Sequence, residues 1–73
     1  MTLRELRLAA GLMQSEVAKK LNVTIIAVSN WENGKNGISR KYHKKLAKLY
    51  HVTDEEIIAA IRAAQEARAG EGA

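Results

Sequence analysis

The run KNGISRKYHKKLAK, residues 35 to 48, holds Lys35, Arg40, Lys41, Lys44, Lys45 and Lys48 without one acid among them. Closely spaced ammonium and guanidinium groups neutralise polyanions, because they release the counterions that a phosphate chain condenses around itself. Residues 53 to 73 are the reverse, with five acids against two bases, so the formal net charge of +4 is unevenly distributed. Lysines that only solvate an exposed helix face would give the same composition. Where the elements put the run therefore decides its meaning.

Catalytic chemistry finds little support. There is no cysteine, and His43 and His51 are the only histidines; neither stands at a metal-ligand or triad spacing from an Asp or Glu. The sequence predicts no enzyme, no metal site, no cofactor and no small-molecule substrate. His51 reads as a turn residue, since His tolerates positive φ better than most side chains, and His43 as part of a helix surface near the basic run. The absence of cysteine fits a reducing compartment. The opening MTLRELRLAA carries charges inside its apolar stretch with no small-residue cleavage site behind it. No apolar run approaches the roughly 18–20 residues of a membrane span. A cytoplasmic protein with no membrane segment is expected.

A second candidate surface lies in NVTIIAVSNWENGK, residues 22 to 35. At about 100° per residue, Thr24, Ala27, Val28, Trp31 and Glu32 share one side of a helix. Ile26, Ser29 and Asn30 point away, and Ile25 lies at the boundary. Asn can both donate and accept at adenine, Ser can bond several base edges, and an apolar side chain packs on a thymine methyl. The nearby helix N-terminus favours phosphate. Ile25 either folds back over the turn against Val23 or the second helix, or joins the outward surface, where an isoleucine would equally serve to dock a protein.

These surfaces need helices to hold them. Proline is absent, glycine is sparse and β-branched residues form no alternating runs, so helical periodicities remain. Thr2 and Glu5 form a capping box for a first helix that stops at Gly11. The second runs from about Gln14 to Leu21 with Val17, Ala18 and Leu21 inward, and Asn22 ends it in the left-handed conformation. Thr24 caps the third, which stops at Asn33-Gly34. Ser39 caps the fourth, whose Tyr42, Leu46, Leu49 and Tyr50 oppose Arg40, Lys41, Lys44 and Lys48. Thr53 and Glu56 form a capping box for the fifth, with Asp54 and Glu55 at its positive end. Its Ile57, Ile58, Ile61 and many alanines exceed the apolar surface that one small domain covers, which points to a homodimer interface. The short NVT connection forces a sharp crossing of helices two and three, as in a helix-turn-helix. At 73 residues the chain makes one domain, predicted over residues 1–69 with 70–73 as a frayed tail, and too small for a partner to bind anywhere but its surface.

Over roughly residues 2 to 61 the chain resembles the helix-turn-helix family of phage Cro and repressor proteins, also called the xenobiotic-response-element type. The resemblance is carried by LRELRLAAGLMQSEVAKKLNV, then VSNWENGK, then KLAKLYHVTDEEI. It implies an all-α fold, a compact five-helix bundle of the lambda-repressor-like kind. It also implies sequence-specific binding of double-stranded DNA by a transcriptional regulator, a repressor above all, usually as a homodimer on a pseudo-palindromic operator. Position by position, Ile25, Ile26, Ser29 and Asn30 would face bases. Gln14, Lys35 and Asn36 would hold phosphates, and Arg7 with Glu32 would form a structural ion pair; the basic run itself adds Arg40, Lys41 and Lys44 as expected phosphate contacts, with Thr24 at the helix start. Three departures stand out. Met13 occupies the place of a capping Thr or Ser, isoleucines replace the polar side chains usual at 25 and 26, and His51 sits where the family usually turns with Gly. They leave a rival of a different class: an interaction module of the same fold, of antitoxin or antirepressor-binding type, using Ile25, Ile26 and the C-terminal helix.

Overall fold

The start of each helix shows how the chain supplies partners for amides that a helix cannot satisfy internally. The computed structural model describes residues 1–35 and 37–71, with side chains through Ala69, and comprises α1 (Leu3–Ala9), α2 (Gln14–Leu21), α3 (Ile25–Glu32), α4 (Arg40–Tyr50) and α5 (Asp54–Glu71). The architecture is all-α. Before α1 the capping box is complete: the Glu5 amide donates to Thr2 Oγ1 at 3.1 Å and the Thr2 amide to Glu5 Oε1 at 2.8 Å. Before α2 only the reverse half survives, with the Met13 amide donating to Glu16 Oε1 at 3.0 Å, because a thioether offers no oxygen. Thr24 accepts from the Ala27 amide, and Thr53 from the Glu56 amide.

Ser39 departs from expectation. It holds the cap conformation before α4, yet its hydroxyl makes no capping bond; its carbonyl takes the Tyr42 amide instead. At the other end of the chain, α5 runs to Glu71, past the expected boundary at 69. Positions 72 and 73 of the expected tail lie outside the described residues.

Asn22 and His51 both adopt the left-handed conformation, at φ 57° and 58°. Each lets the following valine amide reach back to the helix, Val23 to the Ala18 carbonyl and Val52 to the Ala47 carbonyl, both at 2.9 Å. Two helix pairs, α2–α3 and α4–α5, are thus joined by one kind of turn. Leu3, Leu6, Val17, Leu21, Val28, Trp31, Leu46, Tyr50 and Ile57 form the core between them. Burial pushes the Tyr50 phenol well above the usual tyrosine range.

Gly34 ends α3 at φ 68°, and a Cβ there would stand 2.3 Å from the Ala64 carbonyl oxygen. Only glycine lets α5 pass so close to the end of α3. The fifth helix corrects one expectation: Ile57 is completely buried within the chain, beside Ala60 and Ala64, and so is unavailable to a partner. Ile58 is exposed and Ile61 partly so, which leaves those two as the large apolar side chains that α5 presents, beside exposed Ala59 and Ala63.

Candidate nucleic-acid interface

The third helix divides into two faces. Val28 and Trp31 enter the core, where the Trp31 ring meets Tyr42 of α4 at 5.2 Å between centroids. Glu32, also inward, ends in a polar buttress. Arg7 Nε donates to Glu32 Oε2 at 2.6 Å and Arg7 Nη2 to Glu32 Oε1 at 3.3 Å, while Arg7 Nη1 donates to the Leu12 carbonyl at 3.0 Å. The carboxylate raises the Arg7 guanidinium pKa above its ordinary value. Buried in this way, the pair fixes α3 against α1, and neither group is left to bind a ligand.

Gln14 joins the same buttress. Its Nε2 donates to Glu32 Oε1 at 3.0 Å, so the amide that the resemblance assigns to a phosphate is occupied inside the protein. Its second N–H and its oxygen remain at the start of α2. Thr24 is similarly engaged as a cap acceptor, with its hydroxyl proton still to give.

On the opposite face Ile26 is 72% exposed, with Ser29 and Asn30 half-buried beside it. Asn33 extends this set by bonding through Nδ2 to Ser29 Oγ at 3.4 Å. Asn33 is expected from the sequence only as a helix stop; its spacing of seven from Ile26, two helical turns, is the signal that puts it on this face. Ile25, 51% exposed, turns toward α1 and α2 and lines a surface groove with Leu8 and Met13. It neither folds into the core nor aligns fully with Ile26.

Beyond α3 the exposed cations continue. Lys35 precedes position 36, where the candidate Asn36 lies outside the described residues. Arg40, Lys41, Lys44, Lys45 and Lys48 are all exposed on α4. Lys41 Nζ lies 5.0 Å from the centre of the Tyr42 ring and Lys45 Nζ 5.9 Å, so the aromatic orients both ammoniums without neutralising them. His43 differs from expectation: it is half-buried, with Nε2 donating to the Ile38 carbonyl at 3.0 Å, and it tethers the connection before α4. His51 occupies a turn, as its left-handed φ requires. The Ser39 hydroxyl makes no cap bond at the positive end of α4.

Cationic and polar groups therefore follow α3's neutral outward face along the chain, with no acid between Asn33 and Lys48. Exposed ammonium and guanidinium groups are the chemistry that suits phosphates, and neutral hydrogen-bonding side chains beside an apolar one the chemistry that suits base edges. Among the described residues no group of three or more His, Cys, Asp or Glu could hold a metal ion, and no helix is long and apolar enough to cross a membrane. The family model described as helix-turn-helix matches residues 3–57 of this chain. No curated protein and no solved structure matches it.

Proposed function

Because the chain belongs to the Cro/repressor-type helix-turn-helix family of DNA-binding regulators, we propose that it is a repressor that inserts α3 into the major groove of an operator. One observation carries the reading: Ile26 stands 72% exposed beside Ser29 and Asn30, on a helix whose other face is anchored by Trp31 and Glu32. A rigid inner face and an unoccupied outer one suit base readout. Ser29 and Asn30 bond base edges, Ile26 packs on a thymine methyl, and Asn33 supports Ser29.

Lys35, Arg40, Lys41 and Lys44 hold phosphates and set the register without reading sequence. Thr24 contributes its hydroxyl, and Gln14 contributes what the buttress leaves it: one amide N–H and the backbone at the start of α2. Operator binding uses a two-fold pair, because one short helix reads too few bases for high specificity. Ile58 and Ile61 of α5 supply the apolar contact, and the recognition helices meet successive major grooves about 34–36 Å apart on a pseudo-palindromic site.

Selection of bound duplexes from a random pool, run on the parent and on Ile26→Gln, tests this. The exchange replaces a methyl-packing side chain by a bidentate donor and acceptor. Preference should move from thymine toward adenine at one position in each half-site, with discrimination of about 1–3 kcal/mol. An unchanged preference would exclude Ile26 from readout. Lys44→Ala, in contrast, should weaken all duplexes alike and lower the salt slope by about 0.9.

A further inference from the structure

Leu8 is 56% exposed and Met13 65%, and with Leu12 and Ile25 they line a groove of about 490 Å³ where α1, the α1–α2 turn and the start of α3 meet. Scattered exposed apolar residues need no explanation, but three from separate elements around one groove mark a contact surface. Phosphates gain nothing from Leu8 or Met13. The groove's polar lining contains no acid. Its Arg7 is already neutralised by Glu32, whereas the exposed Arg4 makes no ion pair among the described residues.

We propose that this groove docks an acidic, amphipathic segment of a second protein, and that occupancy excludes operator DNA. Large apolar side chains of the segment cover Leu8, Leu12, Met13 and Ile25, and a carboxylate between them meets Arg4. Charge complementarity favours this occupant over a second copy of the chain. The chain's own acidic-apolar stretch, Asp54 to Ile58, buries Ile57 completely and offers Ile58 as its one exposed large apolar side chain. Exclusion follows from position. Ile25 lines the groove and Ile26, its neighbour on α3, belongs to the proposed base-reading face, so a segment seated on one obstructs a duplex on the other. This last step rests on the operator reading; docking itself does not.

Selection of random short peptides displayed on phage, using the full chain as bait, tests docking without DNA. The expected consensus places Asp or Glu between large apolar residues. A labelled peptide of that consensus should bind Leu8→Ser and Met13→Ser about tenfold more weakly, as loss of one buried apolar side chain predicts. Arg4→Glu should weaken it about fivefold, and thermal melts of Leu8→Ser and Arg4→Glu should match the parent because the residues are exposed, while Met13→Ser, which gains a cap oxygen for α2, should melt no lower than the parent. Docking is overturned if no peptide is enriched, or if the selected peptides hold all three variants as tightly as the parent, which would put them on the α4 cations. It is also overturned if sedimentation shows a dimer of the parent that Leu8→Ser dissociates, since the occupant is then a second copy. Gel shift on duplex alone tests operator binding separately. Displacement of a bound duplex by saturating peptide tests exclusion, and simultaneous binding of both would overturn it.

Discussion

Asn22-Val23-Thr24 and His51-Val52-Thr53 make the same turn: a left-handed residue, a valine whose amide returns to the preceding helix, and a threonine that caps the next. The helix pairs they join are used differently. In α2–α3 the second helix has a neutral outer face with exposed Ile25 and Ile26, and its inner face ends in the Arg7–Glu32 pair. In α4–α5 the cations lie on the first helix, the acids gather at the start of the second, and the inner face of α5 is Ile57, Ala60 and Ala64. A turn of this kind fixes how two helices meet and leaves their outer surfaces free to diverge. Assignment of function must therefore come from those surfaces.

The polar inner face of α3 depends most on Glu32. Glu32→Ala leaves the Arg7 guanidinium buried without its carboxylate and should cost about 3–5 kcal/mol, enough to abolish cooperative thermal unfolding in so small a domain. A melting curve close to the parent's would mean that the buttress contributes little and that both pairs rest on apolar packing alone.

The helix starts differ by smaller energies. Met13→Thr would give α2 the cap oxygen that α3 and α5 already possess and should stabilise by about 0.5–2 kcal/mol, while Thr53→Ala should lose a similar amount. Urea titrations of the two variants should shift their midpoints in opposite directions with unchanged slopes. If both midpoints fell, Met13 would hold α2 by packing rather than leaving its cap vacant.

At the left-handed positions the two turns should differ only by residue type. His51→Gly relieves a steric cost at φ 58° and should stabilise by roughly 0.5–1 kcal/mol after the added entropy of the unfolded glycine. Asn22→Gly should gain less, because asparagine tolerates this region better. Equal gains in matched melts would show that the local hydrogen bonding of asparagine is worth nothing here.

The smallest effect lies outside both pairs, in α1. The Thr2 backbone amide and then its side chain hold the Glu5 carboxyl below its ordinary value of 4.5. Its contribution is present above the unfolded pKa and is lost as pH falls through the lowered folded value. Melts recorded during acidification should therefore show a small loss of stability below about 4.5 that Glu5→Gln lacks; parallel curves for the two proteins would contradict it.

Most helices were readable from their caps and periodicity because those signals are local: Thr2 with Glu5, Thr24, Asn22, and Gly34 act within a turn of where they stand. What was misread depended on distant neighbours. Ile57, Ile58 and Ile61 look alike as apolar surface, yet small residues complete the inward stripe; Ala60 and Ala64 signal core or surface only once α3 is seen against them. The Gln14 amide follows Glu32, eighteen positions away, and nothing near Gln14 announces it. The groove of Leu8, Met13 and Ile25 is assembled from three elements and has no footprint in any one of them.

The contact of Gly34 with Ala64 has a mechanical meaning. Where two helices meet through long side chains, a rotamer change can absorb a displacement of an ångström or more; where a glycine meets a backbone carbonyl, there is no compliant part. The end of α3 is therefore seated directly on α5. In a two-fold pair joined through α5, the separation of the reading heads would be set by stiff couplings in series, and operators with an altered half-site spacing would be met by distorting the duplex rather than the protein.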